Sequence, residues 1–268
     1  MKVILSTFII FLLFSLGSQS MFNIDADKGA DLERIVFVDK FKKTHEAPDT
    51  PDAGACDQTS NKFRTFSGGI KWKSFPVTYH VDTSGFNDPG TTNDDAKAAV
   101  VRAFETWDAE EHGGDDTGKF FEESGTADAQ IRFSWRSIDG EGETLGFATF
   151  SYNSQSKTIQ SATIVLDSLD KWRVFDGIVC GDQGIDPTVL EFDIEDVAAH
   201  EVGHAIGFDH VNGANSEFNT EYPFIIFEGE THKTTLGLGD RLGMEYLYGN
   251  GVGEGKCPPG NPTHPKCN

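Results

Sequence analysis

The sequence predicts an α+β domain, and three observations carry that expectation. Runs of β-branched and aromatic residues recur through the middle of the chain, as half-buried strands require. Three other windows place apolar residues at helical spacing. The 268-residue chain is 37% hydrophobic and 12% aromatic, with 22 Phe, a composition that fills a packed core and argues against disorder. That length suits one good-sized domain or two small ones.

The elements follow in order. Lys2, then the apolar run Val3 to Leu16, then Ser18 and Ser20 at the −3 and −1 positions of a cut before Met21, read as a signal peptide over 1–20. The run is short for a membrane span and no later segment could be one. The processed chain is therefore expected to be secreted and extracellular, without a span. Residues 21–62 are charged and broken by Asp and Pro clusters; the apolar patch Ile35 to Val38 looks too short for a core. This stretch reads as a propeptide or flexible leader. From Phe63 to residue 250 the texture is that of one domain. Ile70-Lys71-Trp72 and Val77 to Val81 look like strands. Asn93-Asp94-Asp95 offers N-cap chemistry to a helix whose inward face is Ala99, Val100, Ala103, Phe104 and Trp107, ending near Gly113. Ile131 to Trp135, Thr144 to Tyr152 and Ser161 to Asp167 read as three strands. Asp193 to Phe208 is a helix with acidic residues in its first turn, where the helix dipole favours them. Val211 to Thr235 looks irregular, Leu238 to Tyr248 is a last helix, and 251–268 is a Cys-bracketed tail rich in Gly and Pro.

The formal net charge of −21 repels phosphate backbones and anionic lipid, which excludes nucleic acid as a partner. It suits calcium and solubility equally. Four cysteines in a secreted chain favour two disulfides, with three pairings available. Cys257 and Cys267 bracket one short loop and are paired locally on that ground, which leaves Cys56 with Cys180.

The run that carries chemistry is His200-Glu201-Val202-Gly203-His204-Ala205-Ile206-Gly207-Phe208-Asp209-His210. Residues four apart share a helix face, so His200 and His204 can address one ion. Glu201 sits about 100° round the helix from His200, where it can reach a water on the metal rather than the metal. In a continuing helix His210 would lie about 15 Å along the axis from His200, so the chain must leave the helix and return. Gly207, without a Cβ, permits that turn. Three imidazoles and one open position make a catalytic rather than a structural zinc geometry. Glu201 is then the expected general base and proton carrier to the leaving amine.

These residues resemble the metzincins, whose signature is His-Glu-x-x-His-x-x-Gly-x-x-His, and more narrowly the matrixins. The resemblance runs from Gly68 to Gly249. It includes Lys71-Trp72, Val77-Thr78-Tyr79, Ala103 to Trp107, Ala129 to Phe133, Gly146-Phe147-Ala148 and Asp240 through Gly249. It implies a twisted mixed sheet of about five strands with three helices, one catalytic zinc, and endoproteolysis of extended peptides in extracellular proteins by a monomer. It makes Gly146, Phe147 and Ala148 the edge strand that lines the substrate cleft, and Asp209 a buried residue orienting the site.

The chain departs from that family in three ways. Val211 to Thr235 lacks the expected Met beneath the zinc, Met244 falls in the last helix, and Tyr222-Pro223 or Ile225-Ile226 is left to occupy the turn. No His occurs from Gly113 to Ala199, so no second zinc is expected; Asp139, Glu141, Glu143 and Asp167 stand as candidate calcium ligands beside the plain reading of solvated carboxylates. Cys56 lies where a zinc-capping thiol would sit, yet Gly54-Ala55-Cys56-Asp57 lacks the surroundings of that motif, and the disulfide remains its competing role. His45, His80, His112, His232 and His264 have no ligand spacing and are expected at the surface or in loops. The rival function is a secreted zinc-binding or adhesion module of the same fold with impaired catalysis.

Overall fold

The computed structural model describes residues 32–41, 56–108, 120–177, 190–213, 215–225 and 229–249. In chain order they form β1 (Leu32–Phe41), β2 (Arg64–Thr65), a 3-10 turn (Phe66–Gly68), β3 (Val77–Asp82) and α1 (Asn93–Asp108). Then come β4 (Phe121–Glu123), β5 (Ile131–Arg136), β6 (Thr144–Asn153), β7 (Thr158–Asp167), β8 (Lys171–Arg173) and β9 (Glu191–Asp193). The chain closes with α2 (Ile194–Ala205), β10 (Phe208–Asp209), β11 (Phe224–Ile225), a second 3-10 turn (His232–Thr234) and α3 (Leu238–Tyr248). Residues 1–20, read above as a signal peptide, the tail, and Cys180, Cys257 and Cys267 lie outside the described residues, as do His45, His112 and His264. No helix among the described residues is long and apolar enough to cross a membrane.

The elements form where local pattern and burial agree. In β5, Ile131, Phe133 and Trp135 point inward and their neighbours outward. In α1, Ala96, Ala99, Val100, Ala103, Phe104 and Trp107 make one buried face. The Thr92 hydroxyl accepts the Asp95 N–H and donates to its carboxylate, tying down the start of that helix. The main sheet has the order β11-β1-β6-β7-β5-β3-β4. Strands β4, β3, β5 and β7 pair in parallel, and β6 is antiparallel to β7. Those five make the mixed sheet of an α+β metzincin-like domain, with α2 laid against β6, β7 and α1. Two indoles fasten α2 from either side: Trp107 donates to the Ala199 carbonyl at 2.8 Å and Trp72 to the Ala205 carbonyl at 3.0 Å, both buried.

Three expectations are corrected here. Ile35 to Val38 are not too short for a core: they belong to β1, which is antiparallel to β6 and parallel to β11, with Ile35 and Phe37 buried. The patch finds its partners far along the chain, so a local reading of its length misses them. Gly146, Phe147 and Ala148 accordingly do not form a free edge; they pair with Asp39, Val38 and Phe37. An uncovered strand presents a row of unmade hydrogen bonds, and β1 fills it. Ile70-Lys71-Trp72 contributes only an isolated bridge from Lys71 to Thr158, because Trp72 turns into the end of α2.

Asp170 offers a check on the packing between β7 and β8. Its Oδ1 accepts the Gly142 N–H at 2.7 Å while Oδ2 has no partner, and burial raises its pKa to about 7. A raised folded-state pKa means the protonated form stabilises the fold. That contribution is complete below the unfolded value near 3.8 and is lost as pH rises through about 7. Urea unfolding of Asp170→Asn between about pH 4 and 8 should therefore show a shallower loss of stability with pH than the wild type. Identical slopes would mean that the carboxyl titrates normally.

Candidate metal centre

The site is set by how α2 begins and ends. Asp193 caps the helix by accepting the Asp196 N–H at 2.8 Å, and Arg102 of α1 bridges Glu195 at 2.5 Å. The helix stops at Ala205. Its last carbonyls, which have no partners within a helix, are taken by other elements. Trp72 donates to Ala205, the Tyr248 hydroxyl to Ile206 at 2.5 Å, and the Phe66 N–H to Gly207 at 2.9 Å. Gly207 then adopts φ +104°, and a Cβ there would lie 2.2 Å from the Ile70 carbonyl oxygen. Only glycine fits both the torsion and the space. The chain turns into β10, which pairs with β2, and delivers His210 back to the helix.

The three imidazoles converge. Nε2 of His200 lies 3.1 Å from Nε2 of His204 and 3.2 Å from Nε2 of His210. Nδ1 of His200 faces the Thr220 carbonyl at 2.7 Å, and Nδ1 of His204 faces the Phe208 carbonyl at 3.1 Å. Carbonyls only accept, so those Nδ1 atoms carry the protons and the Nε2 atoms present lone pairs. Lone pairs aimed at one point repel unless a cation lies between them. A tetrahedral zinc with bonds of about 2.0–2.1 Å holds its nitrogens about 3.3 Å apart, close to the spacing here. Burial is the first cause that holds all three rings neutral: His200 and His204 fall well below the usual histidine value, and His210 is pushed down to about 3. Neutral imidazole is the form that ligates. Among the described residues these three form the one group of His, Cys, Asp and Glu able to hold a metal.

The other sequence-derived residues fall as follows. Glu201 is buried on α2, and its Oε1 is 3.3 Å from the point a Cβ on Gly146 would occupy, so it faces β6. Asp209 is buried; it accepts the His210 N–H at 2.9 Å and pairs with Arg64 at 2.9 Å, so it holds the main chain of the ligand rather than its ring. Burial raises the Asp209 pKa and Arg64 opposes the rise. Cys56 is half of a disulfide, its partner lies outside the described residues, and it does not join the metal group. Asp167 accepts four backbone N–H groups, from Ile138, Asp139, Gly140 and Leu169. Asp139 accepts from Thr144, Glu141 pairs with Lys171 and Glu143 is exposed. These carboxylates organise a loop and are not gathered round one point. His80 is half-buried. His232, expected at the surface or in a loop, lies in the second 3-10 turn and is fully buried there, its ring against Phe218 and its pKa pushed to about 3 by burial. A polar stretch that folds back over α2 hides its own side chains, which local composition does not reveal.

Two contributors escaped the sequence reading. The floor beneath the site is Thr220-Glu221, immediately before Tyr222-Pro223. Thr220 supplies the carbonyl that orients His200. Glu221 is buried against Gly203, where a Cβ would come within 1.8 Å of its Oε1. Its Oε2 lies 3.1 Å from Nδ1 of His204, yet neither oxygen makes a well-aligned hydrogen bond, because that ring's proton points to Phe208. Burial drives the Glu221 pKa well up; Asp240 adds to the rise and Lys233 opposes it. The residue therefore sits in the floor, where burial disfavours its charged form, at the place where the resemblance led one to expect a methionine. Its signal was Tyr222-Pro223, one of the two proposed turn sites. The second contributor is Phe37, whose ring stacks on His204 at 4.2 Å.

Comparison with known proteins gives a consistent picture. The matrixin family profile matches residues 71–249. Metalloendoproteinase 5-MMP of Arabidopsis thaliana is 28% identical over 214 residues, which is 77% of this chain and 54% of that protein. Stromelysin-3 of Rattus norvegicus is 27% identical over 210 residues, 75% of this chain and 36% of that protein. Matrix metalloproteinase-16 of Homo sapiens is 29% identical over 239 residues, 80% of this chain and 34% of that protein. The chain thus spans about half the length of the first of these relatives and about a third of the other two.

Two substitutions test the geometry. Gly207→Ala should cost roughly 2–5 kcal/mol, combining a left-handed alanine with a backbone clash, and should reduce zinc stoichiometry in the purified protein. Full zinc content and an unchanged melt would contradict the turn. Glu221→Met exchanges a buried acid without aligned partners for an apolar side chain of similar length. It should leave stability unchanged or raise it by about 1–3 kcal/mol in a chemical denaturation curve. A loss of that size would show that the carboxyl is held by interactions that outweigh its burial.

Proposed function

The chain belongs to the matrixin family, and from that premise we propose that it is a secreted zinc-dependent metalloendopeptidase that cleaves extracellular proteins. The observation that carries the reading is the convergence of three neutral imidazoles on one point, with the Glu201 carboxylate on the adjacent helix position. When bound there, zinc supplies Lewis acidity, which polarises a peptide carbonyl and acidifies water. His200, His204 and His210 would hold it. Glu201 takes the proton of the attacking water and passes it to the departing amine. Asp209 and Thr220 keep the ligands aimed, through the His210 main chain and the His200 ring. A binding module would have no use for the Glu201 carboxylate, so the non-catalytic alternative is not favoured.

The organisation proposed with this activity is a signal peptide over 1–20, a propeptide over 21–62, the catalytic domain over 63–250 and a tail over 251–268. Its support for the propeptide is β1, which lies along β6 with Phe37 on a ligand ring. The pairing proposed for Cys56 is with Cys180.

The test is cleavage of a protein substrate such as casein by purified processed protein, with and without a chelator. Zinc-loaded wild type should cleave and lose that activity on chelation. Glu201→Gln should retain zinc and lose roughly 10²–10⁴-fold in turnover. A fully active Gln variant would remove Glu201 from the chemistry.

A further inference from the structure

Four places in the chain set Asn or Asp directly before Gly: Asp139-Gly140, Asp176-Gly177, Asn212-Gly213 and Asn250-Gly251. Such a pair can close a succinimide ring, because a glycine nitrogen has no Cβ beside it to obstruct its approach to the preceding side-chain carbonyl. Folding decides which pairs can react. At Asp139-Gly140 both reacting groups are held. The Asp139 carboxylate accepts the Thr144 N–H and hydroxyl, and the Gly140 N–H donates to Asp167 at 3.0 Å. Asp176 is exposed, but an ionised carboxylate is a poorer electrophile than an amide. Asn250 lies outside the described residues. Asn212 and Gly213 are both exposed, and neither the Asn212 amide nor the Gly213 N–H has a hydrogen-bond partner among the described residues.

This pair sits in the segment that joins the third ligand, His210, to the floor. Thr220, whose carbonyl faces the His200 ring at 2.7 Å, stands at the far end. The segment is pinned on both sides. Val211 is buried and donates its N–H to the Glu221 carbonyl at 2.9 Å. Asn219 is buried and donates from Nδ2 to the Lys62 carbonyl at 2.8 Å. Between these pins the Gly213 carbonyl accepts the Ser216 N–H at 3.2 Å and the Ser216 hydroxyl at 2.5 Å. A segment fixed at its ends and tied in its middle has little slack for an added main-chain atom.

We propose that Asn212-Gly213 is a site of spontaneous deamidation and that its isoaspartate product weakens the metal centre. Base removes the Gly213 amide proton. The nitrogen then attacks the Asn212 side-chain carbonyl carbon, the bond to the side-chain amide nitrogen breaks, and that nitrogen takes a proton and leaves as ammonia. Water opens the ring at either carbonyl. One product is aspartate. The other is isoaspartate, whose main chain runs through Cβ and Cγ and is longer by a methylene. That methylene falls between the Val211 pin and the Ser216 tie. The chemistry is independent of the metallopeptidase reading; its effect on zinc rests on the metal centre in that reading.

The experiment ages the zinc-loaded full chain in warm, mildly alkaline buffer, carrying Glu201→Gln to prevent self-digestion. A blocked peptide of residues 211–215 ages beside it. Peptide mapping by mass spectrometry reads a gain of about 1 Da as the amide becomes a carboxyl group. Enzymatic methylation of isoaspartyl groups locates the rearranged product. By the time the peptide is converted, most of Asn212 should be converted too, with no isoaspartate at Asp139. The isoaspartate form, separated by ion exchange, should bind zinc on the order of tenfold more weakly than fresh chain, the usual penalty for misplacing a group that orients a ligand. Asn212→Ser, aged in parallel, should keep its zinc. Intact Asn212 beside a converted peptide would overturn the site. Isoaspartate that holds zinc as firmly as the Ser variant would overturn the effect. Fresh chain that binds no zinc counts against the metal centre and the effect together, while the mass gain at Asn212 still decides the site.

Discussion

α2 has to stop at Ala205 and turn back, and most of the site depends on that stop. A helix end leaves carbonyls that need donors. Here the donors come from three separate parts of the chain: Trp72, Phe66 and Tyr248. The glycine that makes the reversal possible is pressed against the Ile70 backbone, so the torsion and the packing select the same residue. Without the reversal at Gly207, His210 would continue away from His200 and the third nitrogen would be lost.

The polar ladder of β6 imposes a second requirement. Its inner side is satisfied by β7 and its outer side must be satisfied by something. β1 meets that need and at the same time carries Phe37 onto the face of His204. Covering the sheet and covering the metal centre are therefore one act of packing.

Electrostatics beneath the site run toward neutrality. Asp193, Asp196, Glu221 and Asp240 are buried, and burial is the first cause raising each of them. Lys233, itself buried, opposes the rise at Asp196 and Glu221 and donates to the Tyr222 carbonyl at 2.8 Å. The same Lys233 charge helps to keep the three ligand rings unprotonated. A water-poor environment thus serves both the fold, which hides acids, and the ligands, which must stay neutral.

Sequence alone determined what short-range periodicity can encode. Two histidines four apart, the glycine after them and a third histidine imply a helix, a break and a return, because helix geometry relates those positions directly. Strands β3, β5, β6 and β7 and helices α1, α2 and α3 were legible for the same reason. What lies far apart in the chain was not. Nothing local shows that Ile35 and Phe37 have partners in β6, that Thr220 and Glu221 form the floor, or that His232 is buried. Those facts depend on which surfaces meet, and surfaces meet only when loops have closed and the whole core has packed. The tertiary structure decided the cover of β6 and the floor of the centre, because both are built from segments whose own sequence reads as leader or loop.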